Sequence, residues 1–414
     1  MRAVVSFLVA GGVSLVGLAA GCSGAKPVAV APPKASALVA ASSAEVPVVA
    51  PSASAAEAPP VVPAVATGDP QDPECPAGME LVDGDYCSEV KQNCTKEWYA
   101  KQNDKHVCEE FEVGTKCVGK TTHKRYCMDR YEYPNKKGER PEVMNRFHQA
   151  QIKCAAQGKR MCTESEWTLA CEGPEMKPFP YGWTRDPLVC NGDNLWDDPK
   201  MKKVEARDPT ELARLWRGVR SGSQPNCKSD FGIFDLPGNA DEVCANEHPK
   251  SKSTTGKFDS VNTGGPWYSG VRNQCRPKVY THGEDFYYYY LSFRCCAEAD
   301  GATTNPLTPR QQTSKWDISK VEKLAGFTVA EMQEKNRQKE AGACTCSEDD
   351  ILCKTMCGTL LGPDAEDVTV DTPRVRYAGK SEKGDLRAET IGGEEQPKEK
   401  PKKKPKKKSK EKAD

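Results

Sequence analysis

Twenty cysteines stand among 414 residues, and a thiol can pair with another thiol, hold a soft metal or act as a nucleophile. Cys344, Cys346, Cys353 and Cys357 cluster. Ser347 and Asp350 can cap a short helix that Gly358 ends, and that helix would put Cys353 and Cys357 on one face, four residues apart. Four thiols so placed make either two disulfides or a tetrahedral zinc site. The five histidines, His106, His123, His148, His248 and His282, are scattered, and none has the spacing of a metal pair on a helix. There is no serine-nucleophile elbow and no phosphate-binding glycine loop. Tyr287, Tyr288, Tyr289 and Tyr290 form a candidate ligand surface. If that run is extended, alternate rings point to opposite faces, one set inward and the other toward a partner.

The compartment decides between the fates of a thiol. After Arg2 an apolar run from Ala3 to Ala20 ends in Gly21-Cys22, the shape of a secretory signal rather than of a membrane span. Cys22 after small residues is similar to the acylated cysteine of bacterial lipoproteins, although Ala19 stands where leucine is usual. Lipidation at Cys22 is the expectation, placing the protein in a bacterial cell envelope as a lipid-anchored membrane protein, at the outer membrane or on a periplasmic or surface face. Export favours disulfides over zinc. Removing Cys22 from 20 leaves 19 cysteines, an odd number, so at least one thiol is left over. Formal net charge is zero, which gives no reason to expect a nucleic-acid partner.

Composition divides the chain. Residues 1–22 read as the signal, and 23–73, rich in Ala, Pro and Val, as an extended spacer that cannot bury a core. An ordered domain is expected over 74–300, with a cysteine-rich insertion at 87–117. A small cysteine-containing helical segment follows at 301–360, then a disordered tail at 361–414 that ends in the lysine run Lys402–Lys408. That tail either solubilises the terminus or binds an anionic envelope polymer. Within the domain, Pro76–Tyr86 alternates like a strand, and Tyr126–Asn135 reads as a second one. Asn145–Gln157 has Phe147, Ala150, Cys154 and Ala155 at helical spacing, with Gly158 as its stop. Thr163 and Glu166 stand in the capping-box relation and predict the start of another helix.

Four signatures recur in fixed order: Gly158-Lys159-Arg160-Met161-Cys162-Thr163-Glu164-Ser165-Glu166-Trp167, Phe231 to Glu242, Gly264-Gly265-Pro266-Trp267, and Ser292-Phe293-Arg294. Together they resemble the sulfatase-modifying-factor domain of the formylglycine-generating enzymes, over roughly Cys75 to Cys296. The resemblance implies an α+β fold, a variant of the C-type-lectin architecture, with much irregular backbone and disulfide staples. It implies the pairs Cys154–Cys295 and Cys171–Cys275. It also implies calcium at Asp235, Gly238, Ala240 and Glu242, through two carboxylates and two backbone carbonyls, the hard oxygens that this ion takes. A second calcium site would begin at Asn191 and Gly192.

The family's reaction oxidises a protein cysteine, with copper(I) held by two thiolates between the Gly-Gly turn and the next structural cysteine. Here that stretch, Gly264 to Cys275, holds one cysteine, and Cys275 is assigned to the disulfide with Cys171. Ser269 stands at the first catalytic position, Pro266 replaces the family serine, and Asp241 replaces the tryptophan of the glutamate turn. The expectation is a non-catalytic domain that serves as an envelope binding or structural module, with an envelope protein or polymer as its partner. The alternative is a copper-dependent oxidase that recruits Cys162 or Cys296.

Overall fold

The structure, a computed structural model, describes residues 73–100, 105–268, 270–369, 371–378 and 387–391. Cys22 with its leader, nearly all of the spacer, Ser269 and the lysine run lie outside the described residues.

In chain order the first strands are β1 (Met79–Cys87), β2 (Val90–Lys91), β3 (Cys94–Ala100), β4 (Lys105–Phe111), β5 (Lys116–Cys117) and β6 (Thr121–Asp129). Helix α1 (Phe147–Ala155), strand β7 (Arg160–Met161), and helices α2 (Glu164–Glu172), α3 (Met201–Glu205) and α4 (Pro209–Leu215) follow. Then come β8 (Asp241–Ala245), β9 (Ser260–Thr263), β10 (Lys278–Val279), β11 (Leu291–Ser292) and β12 (Cys295–Ala297). Helices α5 (Pro309–Thr313), α6 (Ile318–Ala325), α7 (Val329–Glu340) and α8 (Ile351–Cys357) precede β13 (Arg374–Ala378) and β14 (Arg387–Ile391).

Two sheets frame the domain, in the orders β1-β6-β12-β7 and β10-β9-β8-β11. Strands β1 and β6 pair antiparallel from Met79↔Asp129 to Cys87↔Thr121. Between the sheets lies α2, whose Thr163 and Glu166 close the capping box anticipated from sequence. All nine of its residues are buried, with Trp167 and Leu169 at the centre.

Many of the strands are short and long irregular connections join them, and among the described residues covalent staples brace these connections. Nine disulfides form: Cys75–Cys127, Cys87–Cys117, Cys94–Cys108, Cys154–Cys295, Cys162–Cys296, Cys171–Cys275, Cys190–Cys227, Cys344–Cys357 and Cys346–Cys353. The thiol left over is Cys244, buried in β8. Although the sulfurs of Cys346, Cys353 and Cys357 lie close enough to suggest a metal group, all three are consumed in disulfides.

Three stretches differ from the sequence reading. The second strand stops at Asp129, because Asn135 turns the chain back: its side chain bonds Gly78 O at 2.8 Å, Asp129 Oδ1 at 2.9 Å and Tyr131 N at 3.0 Å. The cap of α8 is Asp350 rather than Ser347, and its carboxylate accepts from Cys353 N. The expected tail from 361 is built into the domain as far as 378. Asp367 accepts from Arg140 at 2.6 Å and from Trp216 Nε1 at 3.1 Å, and the buried Arg374 guanidinium bonds Asn194. β13 then pairs with β14 and touches β3 at Ala378↔Ala100. Among the described residues no helix is long and apolar enough to cross a membrane.

Candidate functional site

The loop from β9 to β10 carries the Gly264-Gly265 turn and ends at Cys275, which is joined to Cys171 at the end of α2. It folds tightly on itself. A Cβ at Gly265 would come within 2.6 Å of the Arg272 Cβ, so only glycine lets the two arms close. Across that closure Arg272 pairs with Asp241, which also accepts from Gly265 N at 3.3 Å and from Asn262 at 3.3 Å. Asn273 donates to the Pro266 carbonyl at 2.9 Å and knits the turn from the other side. Among its described residues the loop therefore contributes Arg272, paired with Asp241 of β8, and one disulfide sulfur.

The insertion closes over this loop. Cys94–Cys108 pins the β3–β4 hairpin, and Phe111 N and Arg185 N bond the carbonyls of Trp183 and Glu109. A Cβ at Gly270 would meet the Trp98 ring at 3.0 Å. Beneath, the buried Arg185 pairs with Asp193 at 2.6 Å and donates to the Gly270 carbonyl at 2.7 Å.

Other thiols do not supply a copper pair. Cys162 and Cys296, the thiols named for the oxidase alternative, are bonded to each other with S–S 2.01 Å, so neither is free to bind copper. A disulfide sulfur has no thiolate to offer copper(I). Burial pushes the Cys244 thiol well above its usual range, as for an inert packed cysteine.

The expected calcium ligands occupy a dense polar knot. The Asp235 carboxylate accepts from Gly222 N at 2.8 Å through one oxygen, while its other oxygen, also buried, has no hydrogen-bond partner among the described residues. Burial pushes its carboxyl up to about 7. Burial likewise raises Glu132 well above its usual range, with the neighbouring Asp235 and Glu242 adding to the effect. Glu242 is differently placed. Both its oxygens are held by the buried Arg294, the nearest contact at 2.7 Å, and Trp167 Nε1 donates at 3.0 Å. Gly238 and Ala240 lie between, where Asn239 N bonds the Asn191 carbonyl at 2.8 Å and Ala240 N bonds Glu132. The Asn191 side-chain oxygen accepts from Asn194 at 2.7 Å, and Gly192 N bonds Pro187 O. The unpartnered Asp235 oxygen fits a cation, whereas the Glu242 carboxylate is already matched by an arginine.

The tyrosine run is a turn rather than a strand. Tyr289 and Tyr290 are buried against Trp267, and Tyr287 and Tyr288 are half-buried. The Tyr287 ring faces the guanidinium groups of Arg207 at 4.5 Å and Arg146 at 5.4 Å. Its aromatic faces are thus engaged within the fold.

Sequence reasoning missed a cleft of about 520 Å³ beside β10. Tyr86, Lys124, Glu164, Glu247, Lys278 and Tyr280 contribute to its lining. The signal was present in Arg276-Pro277-Lys278-Val279-Tyr280, where alternate residues are cationic, cationic and aromatic and share one face of an extended segment.

A disulfide-braced domain with a capped α2, a glutamate turn tied to a terminal Phe-Arg and a Gly-Gly loop defines a formylglycine-generating type of fold. The chain belongs to the sulfatase-modifying factor enzyme 1-like domain family, whose model matches residues 90–299. Membership carries with it the α+β, C-type-lectin-like variant fold. A Bos taurus protein named inactive C-alpha-formylglycine-generating enzyme 2 is 32% identical over 111 residues, 27% of this chain. The match spans 34% of that relative's length. Among solved structures, PvdO from Pseudomonas aeruginosa is 13% identical, covering 53% of this chain and 94% of its own, with a TM-score of 0.32. Treponema denticola variable protein 1 is 11% identical, covering 50% and 99%, with a TM-score of 0.30.

Proposed function

We propose that this chain is an exported protein, lipid-anchored through Cys22, that displays a non-catalytic formylglycine-generating-enzyme-like domain as a binding module of a bacterial cell envelope. One observation carries the non-catalytic part. In the loop from Gly264 to Cys275 the only cysteine is bonded to Cys171, and the closure is filled by Arg272 with Asp241. Copper(I) needs soft thiolate donors, which a serine hydroxyl or a carboxylate does not replace. The Bos taurus relative, inactive by its printed name, supports the same reading. Calcium has a structural place in this proposal at Asp235, beside Gly238 and Ala240, where the unpartnered oxygen would be satisfied.

The test is an oxygen- and copper-dependent assay on a cysteine-containing sulfatase peptide, followed by mass spectrometry. No conversion to formylglycine is expected. Turnover abolished by Cys275→Ser but by no other cysteine change would overturn the reading. Metabolic labelling with a fatty acid, lost in Cys22→Ala, tests the anchor.

A further inference from the structure

The cleft beside β10 is a built site. Its acidic wall is internally satisfied: Glu164 accepts from Glu247 N at 3.0 Å and from the Tyr280 hydroxyl, and Glu247 accepts from Ser165 N at 2.9 Å and from the Ser165 hydroxyl. On the opposite wall Arg276 is matched bidentate by Glu172, both contacts at 2.7 Å. Lys278 is not matched. Its ammonium donates to Thr168 Oγ1 at 2.8 Å and enters no ion pair among the described residues. A half-buried ammonium in no close ion pair, drawn only at longer range by Glu164 and Glu172, is costly to bury, and the cleft it lines is where an anion would be supplied. Nearby, Lys124 reaches Glu247 only at 3.4 Å. The Tyr86 ring lies between Lys124 at 5.9 Å and Arg276 at 5.8 Å, an amphipathic floor between two cations.

We propose that this cleft binds an acidic saccharide, its carboxylate received by Lys278 and its sugar ring lying over Tyr86. The volume, about 520 Å³, suits a small ligand. Ser88 and Thr122 also line it, and their hydroxyls can meet those of such a ligand. The acidic wall, already hydrogen-bonded to its neighbours, repels a carboxylate and keeps it to the Lys278 side of the cleft. This deepens the binding-module reading by naming a ligand class, and it rests on that reading only in treating the domain as a binder.

The experiment titrates the full chain with glucuronate, glucose and acetate, followed calorimetrically and through the ring resonances of Tyr86 and Tyr280. Saturable glucuronate binding is expected, with glucose and acetate each at least tenfold weaker. Lys278→Met should weaken glucuronate at least tenfold, while Lys278→Arg retains it. Glucose binding as tightly as glucuronate would remove the carboxylate from the proposal, acetate binding as tightly would remove the sugar, and either overturns it. So would undiminished binding by Lys278→Met, or no saturable binding at all. Should Lys278→Met fail to fold, the resonances decide in the wild type: glucuronate must shift both rings, and still rings overturn the proposal. Formylglycine turnover with intact glucuronate binding would overturn the non-catalytic reading alone. Absent turnover with absent binding would overturn this inference alone.

Discussion

Two adjoining stretches of one connection have opposite characters. From Gly264 to Cys275 the chain leaving β9 is closed: Arg272 meets Asp241, Asn273 knits the turn, Trp98 lies over Gly270, and Cys275 is bonded to Cys171. From Arg276 to Tyr280 it lines an open cleft in which Lys278 has no carboxylate partner. In the closed stretch Arg272 is answered by an ion pair inside the fold, and in the open one Lys278 has none among the described residues. Within this family the closed stretch is where oxidation chemistry is expected. The open one has no such expectation attached to it, yet its chemistry is the unfinished one.

The largest way to break the comparison is to cut the staple that both stretches share. Cys171→Ser with Cys275→Ser opens a loop with a sequence separation of 104 residues. Chain entropy puts the loss at about 4–5 kcal/mol, on the order of 10–15 °C in Tm. Calorimetry should show that loss, and glucuronate binding should weaken with it because Arg276 adjoins the staple. A Tm unchanged within about 3 °C would mean that the loop holds without its disulfide.

A more local change should separate the two stretches. Arg272→Met leaves Asp241 buried without a counter-charge, which costs about 3 kcal/mol or more. Thermal unfolding should register it, whereas glucuronate affinity should stay within about twofold, as expected for sites without shared partners. Trp98→Ala acts on the cover alone. A half-buried ring at a surface hairpin is worth about 1–2 kcal/mol, less than a fully buried one. Its readout is faster amide exchange at Gly270 and Arg272, with the cleft resonances unmoved. Equal acceleration along Arg276 to Tyr280 would show that the two stretches open as one.

Much of the frame was legible because it is local or stapled. Thr163 with Glu166 announces α2, Asp350 and Gly358 bracket α8, and setting Cys22 aside leaves 19 cysteines, of which nine pairs form among the described residues with Cys244 over. What escaped reading is assembled across distance. Tyr86, Glu164, Glu247 and Lys278 meet only after β1, α2 and β10 have packed, and no spacing in the chain encodes that meeting. The insertion was visible as an insertion, but a hairpin's docking face is set by tertiary contacts such as Phe111 on Phe179, not by its own pattern. Composition also misled at the C-terminus. Asp367 and Arg374 sit in a polar stretch that reads as tail, and each becomes ordered by a partner more than 100 residues away, as Arg140 and Asn194 show.

The smallest effect concerns the knot that supports both stretches, and pH exposes it. The Asp235 carboxyl is pushed up to about 7 by burial, while an unfolded aspartate titrates near 3.8. A raised carboxyl favours the folded state while it is protonated. Its contribution is therefore full below about pH 4 and is lost as pH rises through about 7. Without calcium, the wild type should lose stability across that window, and Asp235→Asn should flatten the loss, gaining on the order of 2–4 °C in Tm at pH 8 relative to wild type. A bound cation inverts this logic, because it favours the ionised carboxylate. Millimolar calcium at pH 8 should then raise the wild-type Tm and leave Asp235→Asn unmoved. If calcium raises both equally, the ion acts elsewhere. If it raises neither while the pH slope persists, Asp235 stays protonated in the folded chain, and Arg294 alone supplies the positive charge for which the family's turn would use the ion.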